Sequence, residues 1–253
     1  DLCTIQESED FLEEVPEKIP FMGTSCCPAW SVMAKKEFPK NADCISMALT
    51  PMTLTARLIR KQHPNAKIVF VGPCSAKKLE AMRESVRSEV DFVLTFEEMA
   101  GMMSAKQIDY TKLAGEGGDF DVASADGRGF AVAGGVATAV ANAIHKRYPE
   151  REVKVANAEG LEECRKLMKD AVKGKYDGYL LEGMACPGGC VAGAGTLTAV
   201  NKTAAAVKRY AKTSPRKNAT ENAYRMLIPA LERDADGKHA ADIDEVAETF
   251  EAA

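Results

Sequence analysis

Several things are scarce in this sequence, and each scarcity narrows what the protein can be. No apolar run approaches the ~20 residues a helix needs to cross a bilayer. No basic opening followed by an apolar block marks the chain for export; residues 1–15 are acidic instead. A cytoplasmic protein without a membrane span is the expectation. Eight cysteines in 253 residues are far too few for a disulfide scaffold. Positive charge is also short: 33 Lys and Arg against 37 Asp and Glu leave a net charge of −4. That balance argues against nucleic acid as a partner, because phosphate binding needs a clustered positive surface.

What is present is ordinary for a folded protein, with 46% hydrophobic and 28% charged residues. The length suffices for a large core, as one domain or two lobes. Short β-rich runs alternate with longer helical stretches, which predicts an α/β architecture with largely parallel strands. Strands are expected at 19–24, 67–71, 91–95, 153–157 and 179–184. The run Lys67–Val71 reads as the clearest buried one. Helices are expected at 4–15, 28–38, 51–62, 75–83, 96–106, 134–148 and 161–173. Pro28 and Pro51 suit first turns, and Thr50 and Thr95 suit N-caps. Residues 114–129, rich in Gly, Asp and Ala, read as a loop or lobe junction. Beyond residue 200 two helices and a charged tail are expected.

The informative point is where the cysteines fall. Cys26–Cys27, Cys74 and Cys186 each follow a predicted strand, at the sheet edge where α/β proteins bind ligands. Soft thiolates favour zinc, copper(I) or iron–sulfur clusters, and a cubane usually takes four. A structural zinc knuckle would show two close Cys-x2-Cys pairs, and a two-cluster ferredoxin a Cys-x2-Cys-x2-Cys run. Neither is present, so spacing ranks iron–sulfur ligation above zinc. In Cys186-Pro187-Gly188-Gly189-Cys190 the two glycines let backbone N–H groups approach a cluster without a Cβ in the way. Cys3, Cys44 and Cys164 read as small buried hydrophobes. His63, His145 and His239 are assigned no catalytic part.

Three segments resemble signatures of [FeFe]-hydrogenases, in the same order. They are Thr24-Ser25-Cys26-Cys27-Pro28-Ala29-Trp30, Pro73-Cys74-Ser75-Ala76-Lys77-Lys78, and Glu182-Gly183-Met184-Ala185-Cys186-Pro187-Gly188-Gly189-Cys190. The resemblance extends from Asp1 to about residue 200. It implies two lobes of mostly parallel sheet flanked by helices, with the iron-cluster site in the crevice between them. Lobe one would span about 1–113 and lobe two about 119–200. C-terminal helices would close the domain near 235, before a charged tail at 236–253. Cys27, Cys74, Cys186 and Cys190 would hold a [4Fe–4S] cluster, and Cys190 would also bridge to a diiron subcluster, together the H-cluster. Cys26 would carry protons rather than bind metal, with Glu7, Asp10 and Ser46 as its relay. Lys77 would donate a hydrogen bond to a cyanide ligand of the cofactor. Met184, Pro73 and Phe130 would line the diiron pocket, Phe130 from the glycine-rich stretch 127–136.

The implied function is reversible H2 oxidation and proton reduction, with electrons exchanged with ferredoxin or a similar carrier and maturation proteins supplying the diiron site. The alternatives are a sensory or assembly homologue that keeps the cysteines without turnover, and a zinc-stabilised structural module. Two positions depart from the family's pattern: Gly72 stands where Met is common, and Asp10 where Glu is usual. No ferredoxin-like cysteine motif accompanies the signatures. The resemblance also implies that the domain begins upstream of Asp1, so the chain is expected to be its major C-terminal part and inactive alone.

Overall fold

In the computed structural model, residues 1–86, 88–113 and 122–228 are described. The helices are α1 (Leu2–Glu14), α2 (Pro28–Glu37), α3 (Pro51–Gln62), α4 (Ala76–Met82), α5 (Phe96–Ala105), α6 (Ala125–Gly129), α7 (Gly135–Arg147), α8 (Leu161–Ala171) and α9 (Val200–Lys212). The strands are β1 (Met22–Gly23), β2 (Val69–Gly72), β3 (Phe92–Thr95), β4 (Lys154–Glu159) and β5 (Tyr179–Met184). Among the described residues all pairings are parallel: one sheet runs β1-β5-β4, the other β2-β3. The expected α/β class with parallel sheets and flanking helices is therefore present.

The larger sheet is buried on both faces, as parallel sheets generally are. Successive residues of a strand point to opposite sides, and β5 uses this directly. Leu181 joins Trp30 and Met33 of α2 and Cys164, Leu167 and Met168 of α8 in one core. Leu180 faces the other way, into Phe11 and Val15 at the end of α1 and Val140 and Ile144 of α7. Because β1 lies beside β5, this sheet draws strands from both halves of the chain.

Local chemistry accounts for several element ends. Thr50 caps α3 through its side chain, with proline in the first turn. Thr95 and Glu98 form a reciprocal capping box at the start of α5. Four sequence expectations need correction. The run 67–71 is not a buried strand: Val69 is 47% and Val71 37% exposed. Among the described residues β2 pairs only with β3, and the face carrying Val69 and Val71 is open to solvent. The strand expected at 19–24 shrinks to Met22–Gly23. The loop expected at 114–129 contains α6, capped by the Ser124 side chain on Gly127 N–H; residues 114–121 lie outside the described part. The second helix expected after 200 is replaced, as far as residue 228, by two tight 3-10 turns, Ala219–Glu221 and Ala223–Leu227. Asn218 and Asn222 accept from backbone N–H groups two residues on and so offer the chain an alternative to helix. The expected tail at 236–253 also lies outside the described residues.

One contact fixes how the first and third signatures meet. Gly183 of β5 packs against the Trp30 indole so closely that a Cβ there would stand 2.1 Å from Trp30 Cδ2. The Trp30 Nε1 donates to Thr24 O at 3.0 Å, closing the segment on itself. Gly183→Ala is expected to cost about 3 kcal/mol or more by overpacking. A fall in the urea midpoint at unchanged m-value would show it; an unchanged midpoint would contradict this packing.

Candidate metal centre

Cys26–Cys27, Cys74 and Cys186 follow the carboxyl ends of β1, β2 and β5, as their positions in the sequence suggested. Cys26, Cys74 and Cys190 open onto one cavity of about 580 Å³, together with Pro73, Lys77, Phe130 and Met184. Cys27 and Cys186 are not on its wall. They are close enough to Cys190 to act on it, since burial first, and then the neighbouring Cys27, Cys74 and Cys186 thiols, push the Cys190 thiol up to about 12. Cys186 is raised by burial and by Cys27 and Cys74. Among the described residues, no three His, Cys, Asp or Glu side chains converge as ligands of a single metal ion.

Backbone contacts draw these segments together. Gly195 N–H donates to Pro73 O at 2.9 Å, and Gly193 packs directly on the same carbonyl, leaving no room for a Cβ. This joins the segment after Cys190 to the Cys74 loop. Within the Cys186–Cys190 loop, Gly188 and Gly189 have φ of 98° and 90°, a region that disfavours residues with a Cβ. A Cβ on Gly189 would stand 2.5 Å from Ala133 N. Ala133 N–H donates to Gly188 O at 3.2 Å and Val191 N–H to Ala131 O at 3.0 Å. These bonds hold the 130–133 segment beside the loop and bring Phe130 to the cavity wall.

The acid–base groups lie behind Cys26. Glu7 is buried, its Oε1 accepting from Ser25 N–H at 2.9 Å. Burial pushes its pKa up to about 7; hydrogen bonds from Ser25 N–H and the Ser46 side chain oppose the shift, and Asp10 adds repulsion. Burial likewise raises the Cys26 thiol well above its ordinary value, helped by the charges of Glu7 and Glu182. Glu7, Ser46, Asp10 and Cys26 thus form one interacting set, and Glu7 is not on a solvated helix face. Lys77 Nζ donates to Cys26 O at 3.3 Å and to Glu80 Oε2 at 2.5 Å, in a pair whose side chains are only 10% and 4% exposed.

Residues 1–194 match the model of the family described as iron-only hydrogenase large subunit, C-terminal domain. The chain belongs to this family. Among its relatives, the NADP-reducing hydrogenase subunit HndD of Solidesulfovibrio fructosivorans is 27% identical over 243 residues, covering 77% of this chain and 41% of that protein. The periplasmic [Fe] hydrogenase large subunit of Nitratidesulfovibrio vulgaris is 28% identical over 238 residues, covering 77% and 56%. The chain thus spans about half the length of these relatives or less. A shorter match, 32% identical over 98 residues and 39% of the chain, is to the cytosolic Fe-S cluster assembly factor NAR1 of Kluyveromyces lactis. In fold, apo [FeFe]-hydrogenase HydA1 from Chlamydomonas reinhardtii superposes with a TM-score of 0.70 at 20% identity, over 97% of this chain and 80% of that one.

Against this iron-only hydrogenase frame, three residues stand out that sequence reasoning did not assign. Glu182, fully buried in β5, accepts from Gly134 N–H and Ala137 N–H at 2.7 Å each, at the start of α7. Glu159 accepts from Gly188 N–H at 2.6 Å, and Glu80 pairs with Lys77. Only Glu182 left a signal, as a lone carboxylate inside an apolar strand. The departure at Gly72 has a visible counterpart: the Phe70 ring folds over it, so that a Cβ on Gly72 would stand 2.6 Å from Phe70 Cε1. Phe70 lines the cavity in turn. Cys3, Cys44 and Cys164 are buried, as read from the sequence.

Glu7 makes a pH test possible. Its folded pKa lies above the ordinary carboxylate value of 4.5, so the folded state binds its proton more tightly than the unfolded chain. This contribution is complete below about pH 4.5 and is lost as pH rises through 7, by roughly 3 kcal/mol at full shift. Glu7→Gln should therefore raise stability above pH 7 and flatten the profile between pH 4.5 and 7. Urea unfolding of the metal-free chain across that range measures it; parallel profiles would refute the buried acid.

Proposed function

We propose that this chain is the catalytic part of an [FeFe]-hydrogenase, with Cys27, Cys74, Cys186 and Cys190 holding a [4Fe–4S] cluster. Cys190 would bridge to a diiron subcluster in the cavity. The observation that carries this is the convergence of Cys26, Cys74, Cys190, Lys77, Phe130 and Met184 on one cavity from segments far apart in the chain.

The residues fit such a group. Thiols that raise one another's pKa call for a cationic partner to become thiolates, because bound metal stabilises the deprotonated ligand. A cubane takes one thiolate at each iron corner, which suits four thiols that do not converge on a single ion. The glycine pair brings backbone close to the loop without side chains between. When bound, the cluster would supply the metal chemistry that splits or forms H2 and would store the electrons.

The chain's own part is to move protons and to keep the pocket dry. Cys26, whose thiol burial keeps protonated, would give and take a proton at Sγ. Glu7, with a pKa near 7, would exchange it through the Ser46 hydroxyl toward Asp10. Asp10 is shorter than Glu by one methylene, and a water can bridge that gap. Lys77, oriented by Glu80, would present its ammonium to an anionic ligand of the diiron site. Ferredoxin or a similar carrier would exchange the electrons, and maturation proteins would install the diiron group. Among the described residues no helix is long and apolar enough to cross a membrane.

A second reading is a cluster-binding assembly or sensory homologue without turnover, favoured by the local similarity to NAR1. Retention of both Cys26 and Lys77 supports the enzyme. After anaerobic reconstitution, the parent and Cys26→Ser should each carry about four iron atoms, whereas Cys27→Ser should lose them. Zinc without iron in the parent would refute both readings. With the diiron group supplied, H2 uptake by the parent and none by Cys26→Ser is expected; a loaded but inactive parent would select the second reading.

A further inference from the structure

Two glycines stand between Cys186 and Cys190, where bare backbone N–H groups are expected to face a cluster. Their hydrogen bonds go elsewhere. Gly189 N–H donates to Cys186 O at 2.9 Å, and Gly188 N–H to Glu159 Oε2 at 2.6 Å. Pro187 has no N–H to give. The donors between the two cysteines are thus committed to the protein, and one of their acceptors is a carboxylate.

The fold holds Glu159 in that position. It is the last residue of β4, in register with Met184 of β5. Gly160, with φ of 83°, turns the chain there, and its N–H donates to Met184 O at 2.8 Å. A Cβ on Gly160 would meet Pro187 Cγ at 3.7 Å, so the end of β4 lies against the loop. Loop stability explains an acceptor at 159, but not a charged one, since a neutral Gln offers the same oxygen. Nor does a cation call for it. Glu159 is exposed, and among the described residues it has no ion-pair partner.

Gly188 is two residues from each cysteine, so its Cα lies within roughly 7 Å of theirs. A carboxylate bonded to its N–H is then on the order of 10 Å from a cluster held by the loop.

We propose that Glu159 sets the reduction potential of a cluster at the Cys186–Cys190 loop and keeps it low. This rests on the cluster reading above. Reduction adds one electron to the cluster and moves no proton, so the site becomes one unit more negative. A fixed carboxylate beside it opposes that change. Its hold on Gly188 N–H also withholds a donor that would otherwise stabilise the reduced sulfurs. At the effective dielectric of a protein surface, one charge at that distance is worth about tenfold in the one-electron equilibrium. The reduced cluster is thereby the stronger electron donor, which favours proton reduction over H2 uptake.

The test is a dye-mediated potentiometric titration of the full chain carrying a reconstituted [4Fe–4S] cluster, without the diiron group. Dithionite is the reductant, and electron paramagnetic resonance reads the reduced fraction. E159Q, which can still accept from Gly188 N–H, should raise the midpoint by about 59 mV, the equivalent of tenfold. E159D keeps the charge and should stay within about twofold of the parent in the same equilibrium. So should E152Q, which removes an exposed carboxylate beyond the opposite end of β4, a strand roughly 20 Å long. Between about 20 and 500 mM salt the Debye length falls from roughly 20 to 4 Å. The gap between parent and E159Q should shrink over that rise, as a charge effect must and a lost hydrogen bond need not. An equal shift in E159Q and E152Q, a gap indifferent to salt, or no shift in E159Q at the parent's iron content would overturn the proposal and leave the cluster reading standing. A parent that takes up no iron would overturn both.

Discussion

The close seating of Trp30 on Gly183 is the contact on which the site depends. It presses the segment carrying Cys26 and Cys27 against the strand that leads to Cys186 and Cys190. The indole is fully buried, and its one polar atom is satisfied by Thr24 O, so the ring has little freedom to tilt. Interiors packed to crystal density transmit such a constraint rather than absorb it. The distance between the first and third signatures is thus set by a ring's thickness. The second signature is tied in separately, through Pro73 O and the 193–195 segment.

The site is also organised by buried charge. Glu7, Glu182, Lys77 and Glu80 are each at least nine-tenths buried, where an unpaired charge would cost several kcal/mol. Each is handled differently. Glu182 is held by two backbone N–H groups, and Lys77 and Glu80 neutralise each other. Burial raises both carboxyls: Glu182 is raised against its N–H bonds, and Glu7, with one N–H and a hydroxyl, is pushed up to about 7. A carboxyl in that state can both accept and release a proton at physiological pH, which a fully compensated one cannot. The stability lost by burying Glu7 and its suitability as a relay therefore have the same physical origin.

How much of this was legible in the sequence depends on the range of the interaction involved. Caps and periodicity act within a few residues, so α3, α5 and β5 were readable from Pro51, Thr95 and an apolar run. The cysteines at strand ends were readable because an α/β sheet collects strand ends on one edge. The exposure of Val69 and Val71 was not, because an apolar run does not reveal whether another layer covers it. Nor were the turns at Asn218 and Asn222, where side-chain acceptors compete with helix at single positions. Asp10 and Ser46 were placed only by resemblance. Asp10 lies three residues from Glu7 on the same helix, but the interaction of Ser46 with Glu7 depends on how α1 packs on the segment after β1, which no local pattern encodes.

Gly72 shows how a departure in sequence can leave the site's character intact. Loss of a Met side chain beside a metal pocket would ordinarily leave a gap open to water, raising the local dielectric. Here Phe70, two residues earlier on the same strand and so on the same face, lays its ring over the glycine. Any side chain at 72 would collide with that ring, so the two positions are coupled and neither can be read alone. The wall stays apolar where Phe70 covers the strand. The substitution therefore relocates the apolar surface from one strand position to another without opening the pocket, which is why Gly72 by itself does not mark a lost function.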